Sequence, residues 1–109
     1  MTLKMIYLQN MDWIIKIRPR AVADLEAATG WYNDKNPALG SKMLTEVDTA
    51  IKILKSRPYS FRFIYNPVRR LVLKKFPYKI LFIINDTEII ILGIVHHKRS
   101  NRYVKRSYK

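Results

Sequence analysis

The sequence predicts an α+β fold of order β-α-α-β-β-β, with an N-terminal helical hairpin packed on a curved antiparallel sheet. Three observations carry the prediction. Between residues 19 and 57, apolar side chains recur at helical spacing in two successive blocks. Ile80 to Ile84 and Ile89 to Val95 are apolar runs divided only by Asn85, Asp86, Thr87 and Glu88, the pattern of a buried hairpin. Just before them Val68 to Phe76 alternates, with Arg70, Val72 and Lys74 on one side and Leu71 and Leu73 on the other.

Each element follows from local chemistry. Trp13 to Ile17 is short, apolar and rich in β-branched residues, so it reads as a first strand. Pro19 suits the first position of a helix, and Ala21, Leu25, Ala28 and Tyr32 continue it to about Asn33. Asn36-Pro37 is a cap followed by a helix-opening proline. Leu39, Met43, Val47, Ile51 and Leu54 then form a stripe that ends before Pro58. The linker between the two helices is so short that they must run antiparallel. Phe61 to Tyr65 is open between a strand and an extended loop. Trp13, Trp31 and Tyr32 read as core. Met11 offers a second start, which makes residues 1–10 a poorly ordered extension ahead of a single domain, 11–109, with a basic tail.

Composition bounds the function. The 109 residues hold 49% hydrophobic residues, enough for one core and too many for a disordered chain. There is no cysteine, so disulfides and thiolate metal sites are excluded and the cytoplasm is the expected compartment. Met1 to Asn10 has neither a continuous apolar run nor a small-residue cleavage site, and no secretory signal is expected. Neither apolar run approaches the roughly 20 residues of a membrane helix. The net charge of +13 is concentrated. Residues 1–56 carry 8 Lys/Arg against 6 Asp/Glu, whereas residues 57–109 carry 13 against 2. That half attracts polyanions: nucleic acid, an acidic protein or an anionic surface.

Several short motifs, in order, resemble the RelE/ParE toxin superfamily. They are Ala23-Asp24-Leu25 and Trp31-Tyr32, then Pro37-Ala38-Leu39-Gly40 with Pro58 beyond, then Val68-Arg69-Arg70 and Phe76-Pro77-Tyr78. A last strand running into His96, with Arg99 and Arg106 after it, completes the set. The resemblance spans about residues 13–107, and Phe-Pro-Tyr leans toward the ParE-like branch. It implies a toxin of a type II toxin–antitoxin pair, of the plasmid-stabilisation type, neutralised by a cognate antitoxin with an acidic segment. It implies one of two targets. ParE-like members inhibit DNA gyrase, while RelE-like members cut mRNA on the ribosome without a metal. Outside the family, a small basic nucleic-acid-binding module is the competing reading. No cofactor is expected.

A metal-free ribonuclease needs proton-transfer groups and cations for the developing phosphorane charge. Arg70, Lys74, Tyr78 and His96 are the candidates, on the open face of the sheet near the ends of its last strands. Arg69, Lys75, Arg99, Tyr103 and Arg106 are candidates for holding target or antitoxin. Arg69 and Arg70 face opposite sides of a strand, and one of them is expected to pair with Asp24 or Glu46. His96 and His97 are likewise expected on opposite faces. Residues 57–109 hold no carboxylate away from Asp86 and Glu88, which weakens a glutamate-based nuclease. Adjacent histidines without an acidic cluster do not make a metal site, and Gly30, Gly40 and Gly93 are too scattered for a phosphate loop.

Overall fold

Pro19 opens a helix one residue after the first strand, and everything after it is set by how the chain turns back. A computed structural model describes residues 13–108, so the expected extension over residues 1–10 lies outside the described residues. Strand β1 (Ile14–Ile17) leads into helix α1 (Pro19–Lys35) and helix α2 (Pro37–Ser56). A single 3-10 turn, Pro58–Ser60, precedes β2 (Phe63–Tyr65), β3 (Val68–Val72), β4 (Tyr78–Asn85) and β5 (Glu88–His96). A short helix, α3 (Asn101–Ser107), ends the described chain.

Asn36 separates the two long helices and caps the second, its side chain accepting from the Ala38 N–H at 3.0 Å. The hairpin is tight because Gly40 lies against Asn33, where any Cβ would collide with that side chain. Asp86, at φ 55°, makes the left-handed step that joins β4 to β5.

The sheet order is β1-β5-β4-β3-β2. All pairs are antiparallel except β1 with β5, which is parallel from Ile14 opposite Glu88 to Ile17 opposite Ile91. The sheet is therefore mixed, not wholly antiparallel as expected. The reason is directional: each connection reverses the chain, and an even number of reversals separates β1 from β5. Phe63–Tyr65 is a strand, which resolves the alternative left open above.

Alternation along β4 divides the interior in two. Ile80 and Phe82 face the helices, with Ala21, Ala28, Met43, Val47, Ala50, Leu54, Ile89 and Ile91. Leu81 faces the other side, with Val68, Leu92, Val95, Val104 and Tyr108. Each fully buried side chain such as Met43, Leu54 or Phe82 contributes on the order of 1.5–3 kcal/mol. The second cluster corrects an expectation, because the outer sheet face is not open. The basic C-terminal stretch coils into α3 and covers that face, with Val104 wholly buried. Trp31 is also not core, being 55% exposed with Lys35 over its ring at 5.1 Å.

Candidate functional site

Three surfaces carry the candidate residues. The first is a cleft of about 540 Å³ along the edge of β5. β1 stops at Ile17, opposite Ile91, so on that edge, among the described residues, β5 has no strand neighbour beyond that point. Helix α1 and the end of α3 flank the gap, and Asp24, Trp31, Tyr78, His96, Arg99 and Tyr108 line it. Asp24 takes the place of the missing strand. Its Oδ2 accepts from the Ile94 N–H at 3.0 Å and from the Tyr108 hydroxyl at 2.6 Å, while Arg20 Nε lies 3.4 Å from Oδ1. A bulge makes this possible. Leu81 pairs with Gly93 and Phe82 with Ile91, which leaves Leu92 extra. Gly93 lies directly beneath the Tyr108 ring, where a Cβ would clash. Burial, and then the bond to Asp24, raise the Tyr108 pKa well above the ordinary tyrosine value.

His96 and Tyr78 meet at this cleft, with ring centroids 5.3 Å apart in an edge-on arrangement. The two histidines do not point apart. β5 ends at His96 and His97 belongs to the following turn, so the rings stack at 4.9 Å with 25° between planes. His97 Nδ1 sits 3.1 Å from the Pro77 carbonyl, and the His97 N–H donates to the same oxygen at 2.8 Å. His96 Nδ1 accepts from the Lys98 N–H at 3.2 Å. The neutral ring therefore carries its proton on Nε2 and presents a donor there, not a base. Burial, then His97, Lys98 and Arg99, lower the His96 pKa. Tyr78 is shifted up by burial and by Tyr32, so it holds its proton at neutral pH.

The second surface is a groove of about 850 Å³ between α2 and the outer edge of β3. Its floor is apolar, with Leu39, Ile53, Leu71, Leu73 and Phe76, and its rim carries Lys42, Arg57, Lys74 and Lys75. β2 pairs only with Val68 and Arg69 of β3, so among the described residues no strand covers the edge from Leu71 onward. Glu46 on α2 anchors the far end, accepting from the Lys74 and Lys75 N–H groups at 2.6 and 3.0 Å.

The third is the outer face around α3. Lys79 is 6% exposed and donates to the Arg99 carbonyl at 3.1 Å. Its pKa falls through burial and through Arg70. Arg99 lies over the Tyr103 ring at 4.4 Å and Lys105 over Tyr65 at 5.7 Å.

The candidate catalytic set is thus divided. Tyr78 and His96 come together at the cleft. Arg70 lies on the outer face, opposite Leu81, and Lys74 lies on the groove rim. Of the other candidates, Arg99 and Tyr103 also line the cleft, Arg106 is exposed on α3, and Lys75 is on the groove. Arg69 is structural. Its Nη1 donates to the Phe61 carbonyl at 2.7 Å and the Tyr59 carbonyl at 3.3 Å, and its guanidinium covers the Phe63 ring at 4.0 Å. Neither Asp24 nor Glu46 pairs with Arg69 or Arg70, because backbone N–H groups and Tyr108 already claim them. Sequence reasoning missed Lys79, whose signal was a lone charge inside an apolar strand. It also missed the Asp24–Tyr108 contact, which no sequence pattern announces.

The order and packing match known toxins. The model of the ParE toxin of the type II toxin–antitoxin system, parDE, matches residues 15–101. The chain belongs to the ParE toxin family. As such it is a type II toxin of the ParE/RelE superfamily. A solved structure described as the chromosomal ParDE toxin–antitoxin system from P. aeruginosa superposes with a TM-score of 0.68 at 25% identity, covering 76% of this chain and 94% of that one. The RelBE2 toxin–antitoxin complex (Rv2865-2866) from Mycobacterium tuberculosis superposes with a TM-score of 0.53 at 17% identity, covering 79% and 99%. This second likeness concerns the fold alone. No curated protein sequence matches significantly. For a ParE-family chain the three surfaces have a shared context: a toxin must meet an antitoxin and a target.

Proposed function

We propose that this ParE-family toxin acts in the cytoplasm by binding and inhibiting DNA gyrase, without cutting nucleic acid itself. In this reading its antitoxin, through an acidic and apolar segment, fills the α2–β3 groove, and the pair stabilises the plasmid that carries it. One observation carries the choice of target. Asp24, the only carboxylate among the described residues lining the cleft that holds Tyr78, His96 and Arg99, is saturated by the Ile94 N–H, the Tyr108 hydroxyl and Arg20. With His96 presenting a donor and Tyr78 protonated, the described residues lining the cleft offer no free base for a 2′-hydroxyl. The likeness to a ParDE structure supports the same reading. For the antitoxin, the apolar floor and Lys/Arg rim fit a segment of alternating apolar and acidic residues lying beside an uncovered strand edge.

The second reading is a ribosome-dependent, metal-independent ribonuclease. It draws on the Tyr78–His96 contact with Arg99 nearby. The deciding experiment combines induction in cells with a purified supercoiling assay. Gyrase inhibition with intact transcripts is expected. Rapid cleavage within translated frames, with gyrase unaffected, would replace the first reading by the second.

A further inference from the structure

Five cations occupy the nine positions from Lys98 to Arg106, and among the described residues no carboxylate forms an ion pair with them. Lys98, Arg99, Arg102, Lys105 and Arg106 are all exposed. Among the described residues the ion pairs lie elsewhere, at Lys16–Glu88, Arg20–Asp24 and Lys52–Asp48. The concentration continues inward. Arg70 shares this face through its pairing with Leu81, and the buried Lys79 ammonium has a carbonyl partner in place of an anion. Like charges gathered this way repel, so the arrangement carries a standing cost that an external anion would relieve.

The cations are also held outward. Val104 and Tyr108 fix the inner side of α3. Arg102 and Arg106 are four residues apart, so they stand on the opposite, outer side about one turn, roughly 6 Å, from each other. Arg99 rests on Tyr103 and Lys105 on Tyr65, which limits their freedom without neutralising them.

We propose that the outer face of α3, with Lys98, Arg99 and Arg70 beside it, is a docking surface for the phosphate backbone of duplex DNA. Chemistry favours this over an acidic protein. The exposed residues of α3 are Asn101, Arg102, Lys105 and Arg106, and none is apolar. Protein interfaces centre on buried aromatic or aliphatic anchors and are depleted in lysine. Phosphate contacts come instead from Arg, Lys, Asn and Ser side chains, and planar guanidiniums hold phosphate in two-pronged bonds. A surface of this kind binds without sequence preference, and it would let the toxin touch DNA that its protein target already holds.

The test is fluorescence anisotropy of the full chain with a short labelled duplex of arbitrary sequence, measured over a range of salt. Binding that weakens linearly in log–log salt coordinates is expected. The double variant Arg102→Ser/Arg106→Ser should lower that slope by about 2, since each phosphate contact contributes about 0.9. It should weaken binding at low salt at least tenfold, with an unchanged melting temperature. A control pair on α2, Lys52→Ser/Lys55→Ser, should leave both quantities unchanged. Equal binding by the Arg102/Arg106 variant would overturn the proposal. So would poly-glutamate competing off the duplex at equal charge concentration, which would assign the face to an acidic protein. The gyrase reading is judged separately: a chain that inhibits supercoiling yet does not bind duplex DNA retains that function and loses this surface.

Discussion

The Tyr108 hydroxyl donates to Asp24 Oδ2 across 2.6 Å, joining the residue that caps α3 to α1. The bond passes the edge of β5 where, among the described residues, no strand neighbours it, and the same carboxylate oxygen holds the Ile94 N–H. Tyr108→Phe should therefore destabilise the fold by about 1.5–3 kcal/mol, the range for a hydrogen bond to a charged group. Urea denaturation checks the value. An effect under half a kcal/mol would show that the contact is dispensable.

The glycine beneath that ring should be coupled to it. Gly93→Ala places a methyl group into the Tyr108 ring and should cost several kcal/mol in the native background, on the order of other overpacking changes. In a Tyr108→Ala background the same substitution should cost much less. A double-mutant cycle measures the difference, and simple additivity would contradict the contact.

Alkaline pH should weaken the same joint. The folded-state pKa of Tyr108 lies above its ordinary value, so its contribution is complete below about pH 10 and is lost as pH rises toward the folded pKa. Wild-type stability should fall above pH 10 more steeply than that of Tyr108→Phe. Parallel curves would remove Tyr108 as the cause.

Acid should act through His96. Its folded pKa is lowered, by burial first and then by His97, Lys98 and Arg99, so the neutral ring is the favoured folded form. The resulting stability is present above the unfolded value of about 6.5 and declines as pH falls through the folded pKa. Protonation also removes the acceptor for the Lys98 N–H. NMR titration should place His96 below the ordinary histidine value, and His96→Gln should flatten the decline below about pH 6.5.

Glu46→Ala should release the turn between β3 and β4. The Lys74 and Lys75 N–H groups lose their acceptor, which costs about 1 kcal/mol. Amide exchange at these two positions should accelerate by roughly fivefold or more while the β4–β5 core is unchanged. Unaltered protection would mean that water replaces the carboxylate without loss.

Much of this was legible in advance. Asn36 capped the helix that its position before Pro37 announced, and the stripe from Leu39 to Leu54 became the face packed on the sheet. Local chemistry suffices for such features, because a cap or an amphipathic face is decided by neighbours within a few residues. The site was less legible. Tyr78 and His96 stand at strand ends in the sequence pattern and do meet, through the register of β4 against β5. Arg70 and Lys74 do not join them: alternation assigns Arg70 a side of β3 but not what lies over that side, and β3 ends at Val72, before Lys74.

The amino-acid order by itself determined which segments fold, where the hairpin turns, that the C-terminal half is cationic, and the resemblance to a toxin superfamily. Only the tertiary structure decided that β1 lies parallel to β5, that α3 covers the outer sheet face, and that Asp24 is spent on Ile94 and Tyr108. The physical reason is range. Propensity and periodicity act over a few residues, whereas a carboxylate's availability depends on partners that sit 70 and 84 positions away in the chain.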